Sequence, residues 1–240
     1  MSERNVFITG CSTGIGRALA RACIARGDTV VATARNIDDL QYLDHENAIR
    51  MALDVNDDAA IQAVFSEIRE RIGHIDLLIN NAGYAAMGPV TELSRENLMR
   101  QFETNVLAPV SVTSEALSML RASDTAQVIN IGSVSGILTT PFSGAYCATK
   151  AALHSLSDAM RMELAPFGIE VITVQPGAIQ SSFGDNSLAG VSDLLKPDSL
   201  FKSVEDKIRE RAVASQQNPT TAEAFAKEML LRIQGSPAPE

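Results

Sequence analysis

The chain has 240 residues, of which 45% are hydrophobic and 20% are charged, and its formal net charge is −9. This composition predicts one globular domain with a sizeable core, and the acidic balance excludes a nucleic-acid-binding surface, which needs clustered Lys and Arg. We expect no membrane span, because no apolar run approaches roughly 18 residues, and no signal peptide, because the N-terminus leads straight into a predicted strand. The three cysteines, without metal-ligand spacing, indicate a reduced, cytoplasmic setting.

The first motif is TGCSTGIG, residues 9–16, which contains three glycines. An apolar run at 6–8 predicts a strand before it, and a pattern of apolar residues four apart predicts a helix at 15–26. Glycine is favoured where the backbone takes positive φ or where another group approaches closely. The N–H groups of a helix N-terminus suit a phosphate, with Ser12 and Thr13 as candidate caps. A tight turn without any ligand is an alternative explanation for these glycines. Their spacing differs from the dinucleotide-binding motif G-x-G-x-x-G, so the glycines alone do not decide between the two.

Short apolar runs alternate with longer helical patterns along the whole chain. Six runs predict strands: 6–8, 29–33, 49–53, 77–79, 128–131 and 171–174. After the first helix, five stretches predict further helices: 57–72, 95–120, 145–166, 203–215 and 220–233. The runs are continuous, which is typical of parallel strands covered on both faces. The pattern predicts right-handed βαβ units in a doubly wound α/β sheet, where ligands bind beyond the carboxyl ends of the strands.

Small and amide residues follow three of the predicted strands, in NNAG (80–83), NIGSVSG (130–136) and QPGAI (175–179). Between the last two lies AYCATK, in which Tyr146 and Lys150 are four apart and share one face of a helix. Taken alone, this pair is better explained as a solvated helix pair. The histidines share no common spacing, so we expect surface or helix residues and no metal site: His45, His74 and His154.

Together these stretches resemble the classical short-chain dehydrogenase/reductase family. The resemblance covers residues 6–233 and rests on motifs in the family's order: TGCSTGIG, DV at 54–55, NNAG, Asn105, Ser133, YCATK and PGAI. It implies a single Rossmann-type parallel sheet with helices on both faces. It also implies reversible hydride transfer between a nicotinamide cofactor and a carbonyl or secondary alcohol. The stretch NNAGYAAMGPVTELS is similar to sequences of the family branch that acts on steroids, retinoids and acyl-chain ketones.

The resemblance implies a catalytic set: Asn105, Ser133, Tyr146 and Lys150. Tyr146 is then the acid in reduction and the base in oxidation. A free tyrosine has a pKa of about 10, and the Lys150 cation is expected to lower it by favouring the phenolate. The family's lysine also holds the nicotinamide ribose. Ser133 resembles the serine that hydrogen-bonds the substrate oxygen, and Asn105 resembles the residue that holds a water for proton relay.

The implied cofactor contacts come from the glycine turn, the strand ends and the catalytic helix: Gly10, Ser12, Thr13, Gly14, Ile15, Gly16, Arg35, Asp54, Val55, Asn80, Asn81, Ala82, Gly83, Tyr146, Lys150, Pro176, Gly177, Ile179 and Ser181. NAD-specific relatives carry an acid about 20 residues past the glycines, which binds the ribose 2′-hydroxyl. Here that position is Ala34, and Arg35 and Arg17 supply guanidinium groups that suit a 2′-phosphate. Asp38 and Asp39 are rivals, although we expect them to begin a short helix. The sequence therefore predicts NADP(H).

The substrate is expected to be an apolar ketone or alcohol in contact with four residues: Ser133, Ala85, Met87 and Phe183. The regular pattern ends near 178, and the stretch 182–202 mixes Gly, Asp and Pro with many Phe and Leu residues. Because Gly, Asp and Pro break regular elements, we predict an irregular, mobile lid over an apolar cleft, within one domain at 1–240. A lid packed permanently into the core is the alternative.

The chain ends about where the family's seventh strand begins, so the fold is expected to lack that strand and to leave the sixth as an edge. We expect a homodimer or homotetramer, although the family's C-terminal oligomer contacts are then in doubt. Two other functions are open: an inactive Rossmann-fold NADP(H)-sensing regulator, and an epimerase on sugar nucleotides. The regulator typically lacks the Tyr or the Lys, and the epimerase has a larger substrate domain.

Overall fold

The computed structural model describes residues 3–194 and 198–233. Its sheet consists of parallel strands: β1 (Asn5–Ile8), β2 (Thr29–Ala34), β3 (Ala48–Ala52), β4 (Leu77–Asn80), β5 (Gln127–Ile131) and β6 (Glu170–Val174). The strand order is β3-β2-β1-β4-β5-β6. This is the doubly wound Rossmann order, which confirms the predicted α/β fold. The order reverses between β1 and β4, and their carboxyl ends open a crevice there.

The helices flank the sheet: α1 (Gly14–Ala25), α2 (Asp58–Ile72), α3 (Arg95–Phe102), α4 (Ala108–Leu120), α5 (Gly144–Leu164), α6 (Phe183–Leu194), α7 (Glu205–Val213) and α8 (Ala222–Arg232). Short 3-10 turns lie between them at Ile37–Leu40, Val134–Gly136, Ala165–Phe167, Lys202–Val204 and Ala214–Gln216. The single helix predicted at 95–120 is interrupted by a π-helical turn, Glu103–Leu107. Among the described residues, no helix has the length and apolar character needed to cross a membrane.

The strands bury side chains on both faces of the sheet, as their continuous apolar sequences predict. In β1, Val6 and Ile8 pack into the layer that contains α1 and α8, whereas Phe7 points to the opposite layer with α2 and α4. The Phe7 ring stacks on Phe65 of α2, with ring centroids 4.8 Å apart. Because all three β1 side chains are fully buried, the strand that leads into the glycine turn is held rigidly from both sides.

The stretch 182–202 is not the irregular segment that its composition predicts, because α6 occupies Phe183–Leu194. Phe183 and Val191, two turns apart on this helix, pack into one apolar cluster, with Val191 fully buried. Burial of that face outweighs the weak helix propensity of the glycines. Residues 195–197 of the predicted lid lie outside the described residues.

In the described residues, β6 pairs only with β5 and forms one edge of the six-stranded sheet. The end of α8 is tied to the sheet, because the Gln127 side chain donates through Nε2 to the Ile233 carbonyl at 3.1 Å and to Glu170 Oε2 at 2.6 Å. The segment at 234–240, where the sequence predicts that a seventh strand is missing, lies outside the described residues.

Candidate active site

The glycine turn after β1 is built so tightly that its three glycines are required. Gly10 and Gly14 have φ of +71° and +55°, a region that favours glycine. A Cβ on Gly16 would lie 2.3 Å from the Gly10 carbonyl oxygen and 2.5 Å from Asn81 Nδ2. Asn81 fixes the turn, because its Nδ2 donates to the carbonyls of Thr9 and Gly10, both at 2.9 Å.

The N-terminus of α1 faces this turn with its N–H groups free of side-chain capping. Thr13 occupies the N-cap position, but neither it nor any acid of the first turn caps the helix. The expected cap from Ser12 or Thr13 is therefore not made. Free N–H groups and the positive end of the helix dipole suit an anion, and these features fit a cofactor phosphate at this point.

A cleft of about 830 Å³ opens at the carboxyl edge of the sheet and includes this turn. The sequence predictions converge here: of the site residues predicted from the sequence, all except Gly16, Arg17, Asn80 and Asn105 line this one cleft. Residues from both halves of the sheet therefore meet at the position where the strand order reverses.

The Asn80 side chain is directed away from the cleft, and the predicted cofactor contact of Asn80 stays a prediction. It is buried, and its Nδ2 donates to Asn130 Oδ1 at 2.9 Å and to Thr113 Oγ1 at 3.0 Å. These bonds link β4, β5 and α4. Asn80 therefore holds the strands that carry the site.

The side-chain amide of Asn105 forms three hydrogen bonds within the protein. Its Oδ1 accepts from the Tyr84 N–H at 3.0 Å, and its Nδ2 donates to the Tyr84 carbonyl at 2.9 Å and to Thr149 Oγ1 at 3.1 Å. It sits fully buried in the π-helical turn, a kind of turn that is frequent at functional sites. In this structure its side chain positions the Tyr84 loop against α5, and its predicted water-binding role stays a prediction.

Tyr146 and Lys150 lie one turn apart on α5, as their spacing predicts, and both line the cleft. Lys150 Nζ lies 5.8 Å from the centroid of the Tyr146 ring and donates to the Ile131 carbonyl at 2.7 Å. Burial lowers the pKa of Lys150 to about 8. A Cβ on Gly83 would lie 3.1 Å from Asn105 Oδ1 and 3.8 Å from Lys150 Nζ, so the NNAG glycine packs closely beside both residues.

The pKa of Tyr146 is shifted in the direction opposite to the one that the nearby Lys150 predicts. Burial raises the pKa of Tyr146 to about 12, while a hydrogen bond with Ser133 and the charge of Arg211 act in the opposite direction. The expectation that Lys150 lowers this pKa is wrong in this structure, where the ammonium group is directed at the Ile131 carbonyl. Tyr146 is therefore protonated throughout the neutral pH range.

A profile of short chain dehydrogenases matches residues 4–190 of the chain. The chain belongs to the short-chain dehydrogenase family. One curated relative, the NADPH-dependent 3-dehydrocapnine reductase of Ornithobacterium rhinotracheale, is 34% identical over 196 residues, which are 78% of this chain and 69% of the relative.

Two solved structures resemble this short-chain dehydrogenase over nearly its whole length. A short-chain dehydrogenase from Streptomyces avermitilis is 32% identical with a TM-score of 0.86, over 99% of this chain and 87% of that one. The closed form of a serine dehydrogenase complexed with NADP+ is 27% identical with a TM-score of 0.82, over 96% and 89%. Other solved chains, less than 25% identical, hold NADP or NAD, and their likeness concerns the fold alone. The protein is an oxidoreductase of the short-chain dehydrogenase type.

Strand β2 of this short-chain dehydrogenase ends at Ala34, the position at which NAD-specific relatives carry an acid, and Arg35 follows it. Ala34 and Arg35 both line the cleft, with the Arg35 side chain exposed. Asp38 and Asp39 lie in the first turn of the 3-10 helix Ile37–Leu40, which confirms their predicted place. Their side chains nevertheless line an adjoining hollow of about 410 Å³.

Arg17 lines the same hollow and is held by an aromatic ring. Its guanidinium carbon lies 4.1 Å above the centroid of the Tyr42 ring, and the Tyr42 hydroxyl donates to the Cys11 carbonyl at 2.7 Å. The cation and the ring are therefore fixed to the glycine turn. Both arginines that the sequence singles out for a 2′-phosphate border the adenosine end expected for the cofactor.

His154 supports the loop that carries Ser133, a role that its position on a helix does not reveal. The Ser133 N–H donates to His154 Nε2 at 3.3 Å. The imidazole fills the space left by two glycines, because a Cβ on Gly132 or Gly136 would lie 2.3 Å from a ring atom. The available sequence signal was a histidine four residues after Lys150, on the same helix face, combined with glycines on both sides of Ser133.

We expect the support from His154 to depend on pH. Burial and the Lys150 charge lower the pKa of His154, while Asp158 acts to raise it, so the ring is neutral near pH 7 and can accept the bond. Below the ordinary value of 6.5 the unfolded chain takes up the proton first. Stability is therefore fully present above that pH and decreases as the pH falls below it. Turnover should decline in the same acid range, once the folded ring is protonated.

Two variants test separately whether residue 154 must accept a hydrogen bond and whether its protonation causes the dependence on pH. His154→Gln keeps an acceptor without a pKa and should flatten the acid limb of the stability profile, while His154→Leu should lower kcat at every pH. Thermal melts and kcat measured between acid and neutral pH provide the test. An unchanged kcat and acid limb in His154→Leu would show that Ser133 needs no such support.

Arg211 of α7 also lines the cleft, although the sequence alone gives no sign of it. No motif marks this residue, which lies far along the chain from Tyr146. Its charge nevertheless affects the pKa of the Tyr146 hydroxyl, so the fold brings α7 against the reactive end of α5.

Proposed function

We propose that this protein is an NADP(H)-dependent carbonyl reductase, reversible as an alcohol dehydrogenase. The observation that carries the proposal is that Ser133, Tyr146 and Lys150 line one cleft with the glycine turn and Arg35. A proton donor, a hydrogen-bonding serine and a cofactor cradle are thus available to the same bound molecules. The 3-dehydrocapnine reductase, named as NADPH-dependent, supports the choice of NADP(H).

Reduction of a carbonyl needs a hydride on carbon and a proton on oxygen. When bound, the nicotinamide cofactor supplies the hydride. Tyr146 gives its phenolic proton to the carbonyl oxygen, and its pKa of about 12 means that the hydroxyl carries this proton at neutral pH. Ser133 hydrogen-bonds the same oxygen and stabilises its developing charge. Lys150, with a pKa of about 8, is still mostly protonated at neutral pH, and its ammonium group lies in the same cleft, 5.8 Å from the centroid of the Tyr146 ring.

The body of the substrate is apolar in this proposal. Ala85, Met87 and Phe183 line one end of the cleft, here called the substrate end. They belong to an apolar cluster with Tyr146, and the ring centroids of Phe183 and Tyr146 are 5.5 Å apart. Helix α6 carries Phe183, so we propose that α6, within the lid at 182–202 of a single domain, covers the substrate beside the reacting hydroxyl.

A panel of ketones and aldehydes, followed by the loss of NADPH absorbance, tests this function. We expect turnover to be highest with carbonyl compounds that have a bulky or elongated apolar body, and the matching secondary alcohols to reduce NADP+. A panel without any turnover, from a protein that binds NADPH, would contradict the proposal and favour a sensing role.

NADPH should be preferred over NADH, because Arg35 offers several N–H donors to a 2′-phosphate and Ala34 offers no carboxylate to a ribose hydroxyl. Arg35→Asp should lower kcat/KM for NADPH by about ten- to a hundredfold, the loss of a charge-assisted hydrogen bond, and should spare NADH. Arg50→Asp is the matched control, because Arg50 is exposed on neighbouring β3. Equal use of both cofactors by the unaltered protein, with Asp38 or Asp39 binding the ribose, would contradict the assignment.

We further propose a homo-oligomer in a reducing, cytoplasmic compartment. Apolar side chains are exposed on α4 and α5, the helices that follow β4 and β5: Val110, Leu156 and Met162. Burial of such side chains against a second copy would stabilise a dimer. The three cysteines are buried and unpaired, which supports a compartment where thiols stay reduced.

A further inference from the structure

Arg211 places a positive charge at the substrate end of the cleft. The residue is half-buried, and its neighbours on α7, Ile208 and Ala212, are almost completely buried. Those two side chains pack in the apolar cluster that contains Met87 and Phe183. The backbone that carries Arg211 is therefore anchored to the wall of the substrate end.

Two hydroxyl groups orient the guanidinium group. Arg211 Nε donates to Thr140 Oγ1 at 2.8 Å, and Nη2 donates to Ser143 Oγ at 3.3 Å. The two hydroxyls bond one another at 2.7 Å, and Ser143 is fully buried just before α5. The guanidinium group is thus held against the segment that leads into the helix of Tyr146, rather than extended into solvent.

The charge has no acidic partner within the part of the chain that the structure describes. Two of the three acids on the same helix pair elsewhere, Glu205 with Lys202 and Arg209, and Glu210 with Lys207, and the third, Asp206, forms no ion pair with Arg211. A guanidinium group has five N–H donors, and the two hydroxyls use two of them. A partly buried charge without a counter-charge costs free energy, so this arrangement favours a ligand that brings a negative group.

The cofactor phosphates are a poor explanation for this charge. The arginines suited to the cofactor, Arg17 and Arg35, stand at the opposite end, beyond the glycine turn and β2. Arg211 instead bonds to residues before α5, and its positive charge acts on the pKa of Tyr146. Its neighbourhood is that of the reacting carbonyl.

We propose that Arg211 binds an oxyanion carried by the substrate itself, so that the substrate is a carbonyl compound with an apolar body and an acidic group. A carboxylate, a phosphate ester or a sulfonate presents the paired oxygens that a guanidinium group recognises. The inference rests on the proposed carbonyl reduction and adds to it the substrate class.

Matched pairs of substrates test this class. Levulinate and its longer keto-acid homologues are each compared with their methyl esters, which keep the ketone and remove the charge, and a parallel keto-phosphonate series distinguishes the type of acid. In the unaltered protein, kcat/KM should favour one acid series over its esters by about ten- to a hundredfold, as expected for a charge-assisted hydrogen bond.

Variants assign that preference to Arg211. Arg211→Gln should lower kcat/KM for the acids far more than for the esters and so abolish the acid-to-ester preference, and Arg211→Lys should keep part of that preference. Lys207→Gln is the control, because it removes a charge from an exposed position of the same helix and should leave the ratio unchanged. Thermal melts check that the variants fold.

The outcomes separate this inference from the proposed function. Equal kcat/KM for acids and esters in the unaltered protein would overturn the inference and leave carbonyl reduction intact. A rise in KM for NADPH in Arg211→Gln, with the acid-to-ester ratio preserved, would also overturn it and make Arg211 a cofactor contact. Failure of every carbonyl compound in the panel would contradict the proposed function instead.

Discussion

Replacing Tyr146 with phenylalanine should remove nearly all turnover, roughly 10²–10⁴-fold as expected for loss of a positioned proton donor, while NADPH still binds. Phenylalanine keeps the ring that packs 5.5 Å from Phe183, so the cleft should retain its shape. Only the buried hydroxyl and its hydrogen bond with Ser133 are lost. Single-turnover rates with the best ketone, together with NADPH titration by fluorescence, measure the two effects separately.

Tyr84 offers a matched control for this loss. It also lines the cleft, but it lies beside Arg100, whose guanidinium carbon is 5.7 Å from its ring centroid. Tyr84→Phe should therefore change turnover far less than Tyr146→Phe. A Tyr146→Phe protein that kept a substantial part of the rate would rule out the phenol as proton donor and direct attention to Lys150.

The parts of this molecule that the sequence predicted correctly are those in which chemistry and position along the chain coincide. Apolar runs separated by helical patterns predict a doubly wound sheet, because each strand must be covered on both faces. Tyr146 and Lys150 share a helix face through their spacing alone. The glycine turn, too, is a local feature, although the reason for Gly16 is not local, since Asn81 after β4 closes over it.

The parts that the sequence could not predict depend on contacts between distant segments. Arg211 enters the cleft only because α7 packs against the segment before α5. The composition of 182–202 suggests a loop, but the burial of Phe183 and Val191 stabilises a helix there. The direction of the Tyr146 pKa shift was wrong because the sequence shows a nearby lysine but not the burial of the phenol.

Replacing Gly16 with alanine should destabilise the protein and weaken cofactor binding together. Alanine is the better helix former by about 1 kcal/mol, and Gly16 lies inside α1, so helix propensity alone predicts stabilisation. The new Cβ would, however, lie 2.3 Å from the Gly10 carbonyl oxygen. Overpacking of this kind typically costs about 1–3 kcal/mol, occasionally more, and the atoms that must move are backbone and a hydrogen-bonded amide.

Gly190→Ala in α6 is the control for Gly16→Ala, because the two substitutions should change the stability of the protein in opposite directions. In the described part of the chain, no atom outside the neighbouring residues of the same helix lies within 4 Å of a Cβ built on Gly190, so the same substitution should stabilise there by about 0.5–1 kcal/mol. The melting temperature should fall by several degrees in Gly16→Ala, at roughly 2–4 °C per kcal/mol for a chain of this size, and rise in Gly190→Ala. Because the displaced carbonyl belongs to the turn that faces the α1 N-terminus, the dissociation constant for NADPH should increase in Gly16→Ala. If Gly16→Ala melted no lower and bound NADPH as tightly as the unaltered protein, the turn would not be the close-packed phosphate cradle that its geometry indicates.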